Sequence, residues 1–256
     1  MAEPKNKLTA REIMTSDVVT VAASSDLAGA MAIMDHKGYS QLPVMRDGKP
    51  VALLTETDVR RALAAGRQHL PVAELSSPLP QTAAPETRLS GVLQLLQADE
   101  TILVLQGENL VGIITYWDLL VLSQPALMVQ EVELILRRVV AVLSEAKFGP
   151  NWWNRLPQNL RERAEEEHKA DNDEPATPEH MLGHTSLWSL IEIFRFLRPD
   201  LGNSHFDRLH RVRQLRNMVA HLYVLTDEEQ TEIRTLCPQV GDWLVTFLPE
   251  GVPLGL

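Results

Sequence analysis

The sequence predicts an α+β chain in which two β-α-β-β-α repeats precede an all-α bundle. Three observations carry this prediction. A strand ending in Thr-x-x-Asp occurs twice, about 60 residues apart. Short β-branched runs are confined to the first half, and apolar residues at three- and four-residue steps fill the second. An apolar share of 45% over 256 residues suffices for the cores of two ordinary domains.

In the first copy, Val18-Val19-Thr20-Val21 reads as a strand. Ser24-Ser25-Asp26 caps a helix carrying Leu27, Ala30, Met31 and Met34 on one face, and Gly38 closes it. Gln41-Leu42-Pro43-Val44-Met45 is the next strand. Arg46-Asp47-Gly48-Lys49 is a hairpin signal, because Asp-Gly tolerates the positive φ angles of a tight turn. Val51-Ala52-Leu53-Leu54-Thr55-Glu56-Thr57-Asp58-Val59 then passes from strand to helix. Its second version is Val111-Gly112-Ile113-Ile114-Thr115-Tyr116-Trp117-Asp118-Leu119, preceded by a helix over Leu89 to Gln97, a strand over Ile102 to Leu105, and the turn Gln106-Gly107-Glu108-Asn109.

After Ser123-Gln124-Pro125 the helical period takes over. Val129, Val132, Leu136, Val139, Val140 and Leu143 predict a helix over Leu127 to Ala146, ended by Phe148-Gly149-Pro150. Further helices fit Pro157 to His168, Thr185 to Leu197, Ser204 to Tyr223, Asp227 to Leu236 and Val240 to Phe247. The acidic stretch Arg161 to Pro178 reads as a helix end running into a solvated loop. Trp152-Trp153, between prolines, reads as a connector pinned onto a core. His180 and His184 have a ligand-like spacing, but no supporting third or fourth ligand follows, so no metal is expected.

Leu8 to Ser123 resembles a CBS pair, or Bateman module, on the lead-in Glu12-Ile13-Met14-Thr15, on Val19-Thr20-Val21, on Leu42-Pro43-Val44 and on the two Thr-x-x-Asp endings. This divides the chain into CBS domains at 8–66 and 67–124, a linker or first helix at 125–148, and a helical domain at 149–256. The resemblance implies an adenine nucleotide bound as a signal, with AMP, ADP or ATP as regulatory ligand and no required cofactor. Thr55 and Asp58 would form one site, Thr115 and Asp118 the other, and backbone around Thr20 or Thr82 would embrace the base. The first site is favoured for a charged nucleotide, since Arg60 and Arg61 follow Asp58 whereas only apolar residues follow Asp118, and Ala98-Asp99-Glu100-Thr101 is acidic. S-adenosylmethionine, a dinucleotide or an empty site stay open. So does a purely helix-capping role for Thr and Asp.

Phe206-Asp207-Arg208-Leu209-His210-Arg211-Val212-Arg213-Gln214-Leu215-Arg216-Asn217-Met218-Val219-Ala220-His221 has one apolar face and one face of Arg, Asn and His. It resembles the HEPN signature, Arg and a polar residue followed by His, in Arg216, Asn217 and His221. That resemblance implies a HEPN-like homodimer and metal-independent RNA cleavage, with His moving a proton and Arg stabilising charge on phosphorus. A second function class is a non-enzymatic regulatory or dimerisation protein that signals ligand state to a partner.

The formal net charge of -10 argues against a surface built for long nucleic acids, which need clustered cations. No leader pattern occurs in Met1 to Met14, and every apolar run is interrupted, so a cytoplasmic protein without a membrane span is expected. The single cysteine, Cys237, excludes an internal disulfide.

Overall fold

A computed structural model of the chain describes residues 8–169, 177–220 and 225–251, which fall into two units, 1–122 and 123–256. The first unit starts with α1 (Ala10–Ile13), β1 (Val21–Ala22), α2 (Leu27–Lys37), β2 (Gln41–Arg46), β3 (Lys49–Thr55) and α3 (Glu56–Ala64). Asp26 caps α2 by accepting from the Gly29 amide at 2.7 Å, and Gly38 ends it with φ 67°, a left-handed value that glycine adopts without a Cβ penalty. Asp47 and Gly48 both have positive φ, 48° and 77°, which gives the tight β2–β3 turn its right-handed twist.

The second repeat follows with α4 (Val72–Leu75), β4 (Ser77–Pro78), β5 (Thr82–Ala83), α5 (Leu89–Ala98), β6 (Thr101–Gln106), β7 (Asn109–Thr115) and the start of α6 (Tyr116–Phe148). One sheet has the order β1-β2-β3-β4 and the other β5-β6-β7. Their registers match residue for residue. Gln41 pairs with Thr55 as Thr101 pairs with Thr115, and the bulge at Val44/Met45 recurs at Val104/Leu105.

The linear order of the repeats conceals an exchange. The segment leading into each repeat packs on the other one. Ser77 pairs with Leu53 of the first repeat, while Thr15 pairs with Ile113 of the second. Ala10 and Ile13 lie in the core of the second repeat with Val92, Ile102 and Ile114; Val72 and Leu75 lie in that of the first with Leu27, Leu42 and Leu54. The exchange locks the two repeats into one unit. At its centre Thr101 Oγ1 donates to Gln41 Oε1 at 2.6 Å, two positions that are equivalent in the two repeats.

The second unit is helical. Its elements are the greater part of α6, a short turn over Trp152–Arg155, α7 (Gln158–Lys169), α8 (Pro178–His184), α9 (Leu187–Leu197), α10 (Asn203–Ala220) and α11 (Asp227–Val245). Val132, Leu136 and Val139 of α6 share one core with Trp152, Phe194, Phe206, Val212 and Val240. Trp152 and Trp153 are buried in that core. Arg211 on α10 donates twice to Glu232 on α11, at 2.7 and 2.6 Å, and fastens the two helices on their polar side.

Three sequence expectations are corrected. No break separates the repeat from the following helix at Pro125, which is buried inside α6; a single proline removes one helical hydrogen bond, and the core contacts on either side outweigh that loss. Likewise α11 passes through Pro238 as one helix where two were expected, held by buried Ile233, Cys237, Val240 and Leu244. Thirdly, α6 contains an 18-residue window of mean hydropathy 1.5, long and apolar enough to cross a membrane by composition alone, although no such run was expected. The acidic stretch after Lys169 falls partly on 170–176, outside the described residues, as does His221.

Candidate functional site

Each Thr-x-x-Asp lies where a buried strand turns into a helix. The threonine ends the strand, and the aspartate occupies the first helical turn, where free amides favour a carboxylate. Asp58 is 1% exposed and fully engaged. Its Oδ2 accepts from the Thr55 amide (3.0 Å), the Thr55 hydroxyl (2.7 Å) and the Ser77 amide (3.2 Å), and its Oδ1 accepts from Ser77 Oγ (2.9 Å) and Arg61 Nη1 (3.0 Å).

Asp118 makes the same inward bonds, from the Thr115 amide (2.7 Å) and hydroxyl (2.8 Å), but on its Oδ1 side accepts, among the described residues, from Thr15 Oγ1 alone (2.9 Å). It is half-buried and lines a cavity of about 230 Å³. One wall is Thr115, Trp117 and Asp118 of the second repeat. The opposite wall is the stretch Gly38 to Gln41 with Pro43, and the lead-in residues Thr15 to Val19, apart from Ser16, complete the lining. The exchanged lead-in therefore builds this site, since Thr15 is held to β7 by the Ile113 bridge and fixes Asp118 in turn.

The counterpart on the other side of the unit is drawn together. The Gln81 amide donates to Asp99 Oδ2 at 2.8 Å, which joins the lead-in of the second repeat to the turn after α5. The corresponding segments of the first repeat, around Val19 and Tyr39, stand on two walls of the cavity.

The residues singled out from sequence are thus distributed unevenly. Thr115 and Asp118 come together in the cavity, whereas Thr55 and Asp58 form a closed capping box. Arg60 donates to Thr57 Oγ1 at 3.2 Å and borders an open groove with Met31 and Tyr39; Arg61 is spent on Asp58. Neither arginine lines the cavity. Thr20 is half-buried beside it while Val18 and Val19 form the wall, and Thr82 is exposed on β5. Sequence reasoning missed Thr15, Asp17, Tyr39 and Trp117. Thr15 belonged to the lead-in motif and Trp117 to the Thr-x-x-Asp motif itself, yet only the exchange brings the two onto one cavity.

In the helical unit, Arg216 is half exposed and its Nε lies 3.5 Å from Glu133, which also receives Arg137 Nη2 at 2.5 Å. Asn217 is exposed, and His221 lies outside the described residues. A turn earlier, His210 Nε2 lies 3.4 Å from Arg195 Nη2 and 3.6 Å from Glu192. Burial, then the charge of Arg213, holds the His210 pKa below the usual histidine range. His210 Nδ1 and the Nε atoms of Arg195 and Arg213 are buried without a hydrogen-bond partner. Among the described residues no cluster of His, Cys, Asp or Glu could hold a metal ion.

Comparison with known proteins gives matches over less than half of the chain. An A-adding tRNA nucleotidyltransferase of Geobacter sulfurreducens is 31% identical over 114 residues, 44% of this chain, but the match spans only 13% of that enzyme. The CBS domain-containing protein YhcV of Bacillus subtilis is 29% identical over 43% of this chain and 82% of its own length. The Arabidopsis thaliana CBS-pair protein CBSX2, solved in complex with AMP, is 22% identical with a TM-score of 0.39, covering 44% of this chain and 92% of that one. The CBS domain family model matches residues 10–65. The first repeat of this chain, over residues 10–65, is thus similar to a CBS domain.

Proposed function

We propose that residues 8–124 act as a CBS pair that senses an adenine nucleoside or nucleotide, and that occupancy of the pair regulates the helical unit. One observation carries the reading: the cavity of about 230 Å³ in which Thr115 and Asp118 face Val18, Val19 and the Tyr39 to Pro43 segment. A purine stacks between apolar walls and Tyr39. A ribose then reaches Asp118, whose Oδ1 keeps acceptor capacity beyond its bond from Thr15. The volume lies below the ~300–1,000 Å³ of typical small-molecule sites, and it suits a base with its ribose.

Regulation follows from the position of α6, which starts at Tyr116, one residue after Thr115, and continues into the second unit. A ligand on Thr115 and Asp118 therefore acts on the first turn of that helix, and it shifts any equilibrium of the helical unit by its difference in affinity for the two states. The chain would do this in the cytoplasm as a homodimer.

The test is thermal stabilisation of the full chain by adenosine and its phosphates against guanosine counterparts. Adenine compounds should raise the melting temperature, and Asp118→Asn should remove that rise. Equal shifts in wild type and Asp118→Asn, or none with any adenine compound, would overturn the reading.

Ribonuclease activity in the helical unit is the second reading, through Arg216, Asn217 and His221. The grouping of Arg195 and His210, 3.4 Å apart, with Arg213 one helical turn before Arg216 on α10 favours it, because clustered cations suit a phosphodiester. RNA should be cut with chelator present, and Arg216→Ala or His221→Ala should stop the cutting. RNA left equally intact by wild type and variants rejects this reading and leaves the non-enzymatic regulator.

A further inference from the structure

We infer that the cavity at Asp118 selects an adenosine derivative without phosphate, neutral or positively charged, over AMP, ADP and ATP. This inference rests on the nucleoside reading above and adds the charge of the ligand to it.

The charged side chains that line the cavity are Asp17 and Asp118, and neither Lys, Arg nor His is among its lining residues. A 5′-phosphate carried in by the ribose would enter a site that holds two carboxylates and, among the described residues, no lining counter-charge. At short range such repulsion is large even in a partly solvated setting. The chain does possess the cations that a phosphate needs, but it places them at the other Thr-x-x-Asp. Arg60 and Arg61 follow Asp58, and the equivalent positions after Asp118 are Leu120 and Val121. The basic residues closest to the cavity in sequence, His36 and Lys37, belong to the last turn of α2 and do not line it.

The aromatic groups point the same way. Trp117 is 67% exposed and Tyr39 40% exposed, and both line this cavity. Large rings left in water at the edge of an acidic site offer a stacking surface for a base and attract a cation through their faces. Two carboxylates, two exposed rings and, among the described residues, no lining cation make a receptor for positive or neutral adenosyl groups. A sulfonium such as that of S-adenosylmethionine satisfies both features, and a thioether nucleoside satisfies the stacking alone.

The experiment is isothermal titration of the full chain with adenosine, 5′-methylthioadenosine, S-adenosylmethionine, AMP and ATP at low ionic strength, repeated at high salt. Adenosine and 5′-methylthioadenosine should bind, S-adenosylmethionine at least as tightly, and AMP about tenfold more weakly or worse. The AMP deficit should shrink at high salt as the carboxylates are screened. Asp17→Asn should raise the affinity for AMP relative to adenosine. AMP or ATP binding as tightly as adenosine would overturn the charge selection while leaving the nucleoside reading intact. Failure of all five compounds to bind would overturn both.

Discussion

Gly112→Ala tests the exchange of lead-in segments on which the candidate site depends. A Cβ at Gly112 would fall 2.3 Å from Met14 Sδ, 2.7 Å from its Cγ and 2.9 Å from its Cβ. Rotation of the methionine relieves the first two contacts but not the third, so the lead-in backbone itself must move. That backbone carries the two bonds between Thr15 and Ile113, at 3.0 and 3.1 Å, and it positions Thr15 on Asp118. Overpacking of this kind costs about 1–3 kcal/mol. The first repeat solves the same problem with the opposite choice of sizes, since Ala52 and Ser76 stand where the second has Gly112 and Met14. Adding Met14→Ser to Gly112→Ala should therefore recover part of the loss, with a coupling of about 1 kcal/mol in a double-mutant cycle. Urea unfolding followed by circular dichroism measures all four corners of the cycle. Strict additivity, or a neutral Gly112→Ala, would refute the packing argument.

Asp58→Ala should destabilise the first unit by about 1–3 kcal/mol or more, because it orphans the buried donors around one carboxylate, yet leave the adenosine affinity within about twofold; a larger loss of affinity would return the site to Asp58. His210 has a folded-state pKa below its ordinary value through burial and Arg213, so its contribution to stability is present above the unfolded pKa and is lost as pH falls through the folded one. The helical unit should weaken from neutral to mildly acidic pH, and His210→Gln should flatten that part of the profile; an unchanged slope in urea titrations would count against it. Burial, with Glu131 and Glu232 adding to it, pushes the Cys237 thiol up to about 11, so alkylation near pH 8 should wait for unfolding, and rapid labelling of the native chain would contradict the buried position.

The repeat, its hairpin turns and the helical second half were legible in the sequence because each rests on local chemistry: β-branched alternation, Asp-Gly at positive φ, and apolar spacing on a helix face. The threonines and aspartates at the strand ends were legible for the same reason. Which aspartate meets a cavity was not. The sequence favours Asp58 through Arg60 and Arg61, but the fold places the Ser77 amide and hydroxyl on that carboxylate and turns Arg61 onto it, while Asp118, beyond its bonds from Thr115, meets Thr15 and a space. Likewise the run through Pro125 and Pro238 depended on core burial that no local rule contains. The sequence by itself determined the elements and the residue types at their ends. Only the tertiary structure decided that the lead-in of one repeat completes the other, since pairing Thr15 with Ile113 joins segments nearly a hundred residues apart, and that pairing leaves Asp118, with Asp17, Tyr39 and Trp117, around the cavity.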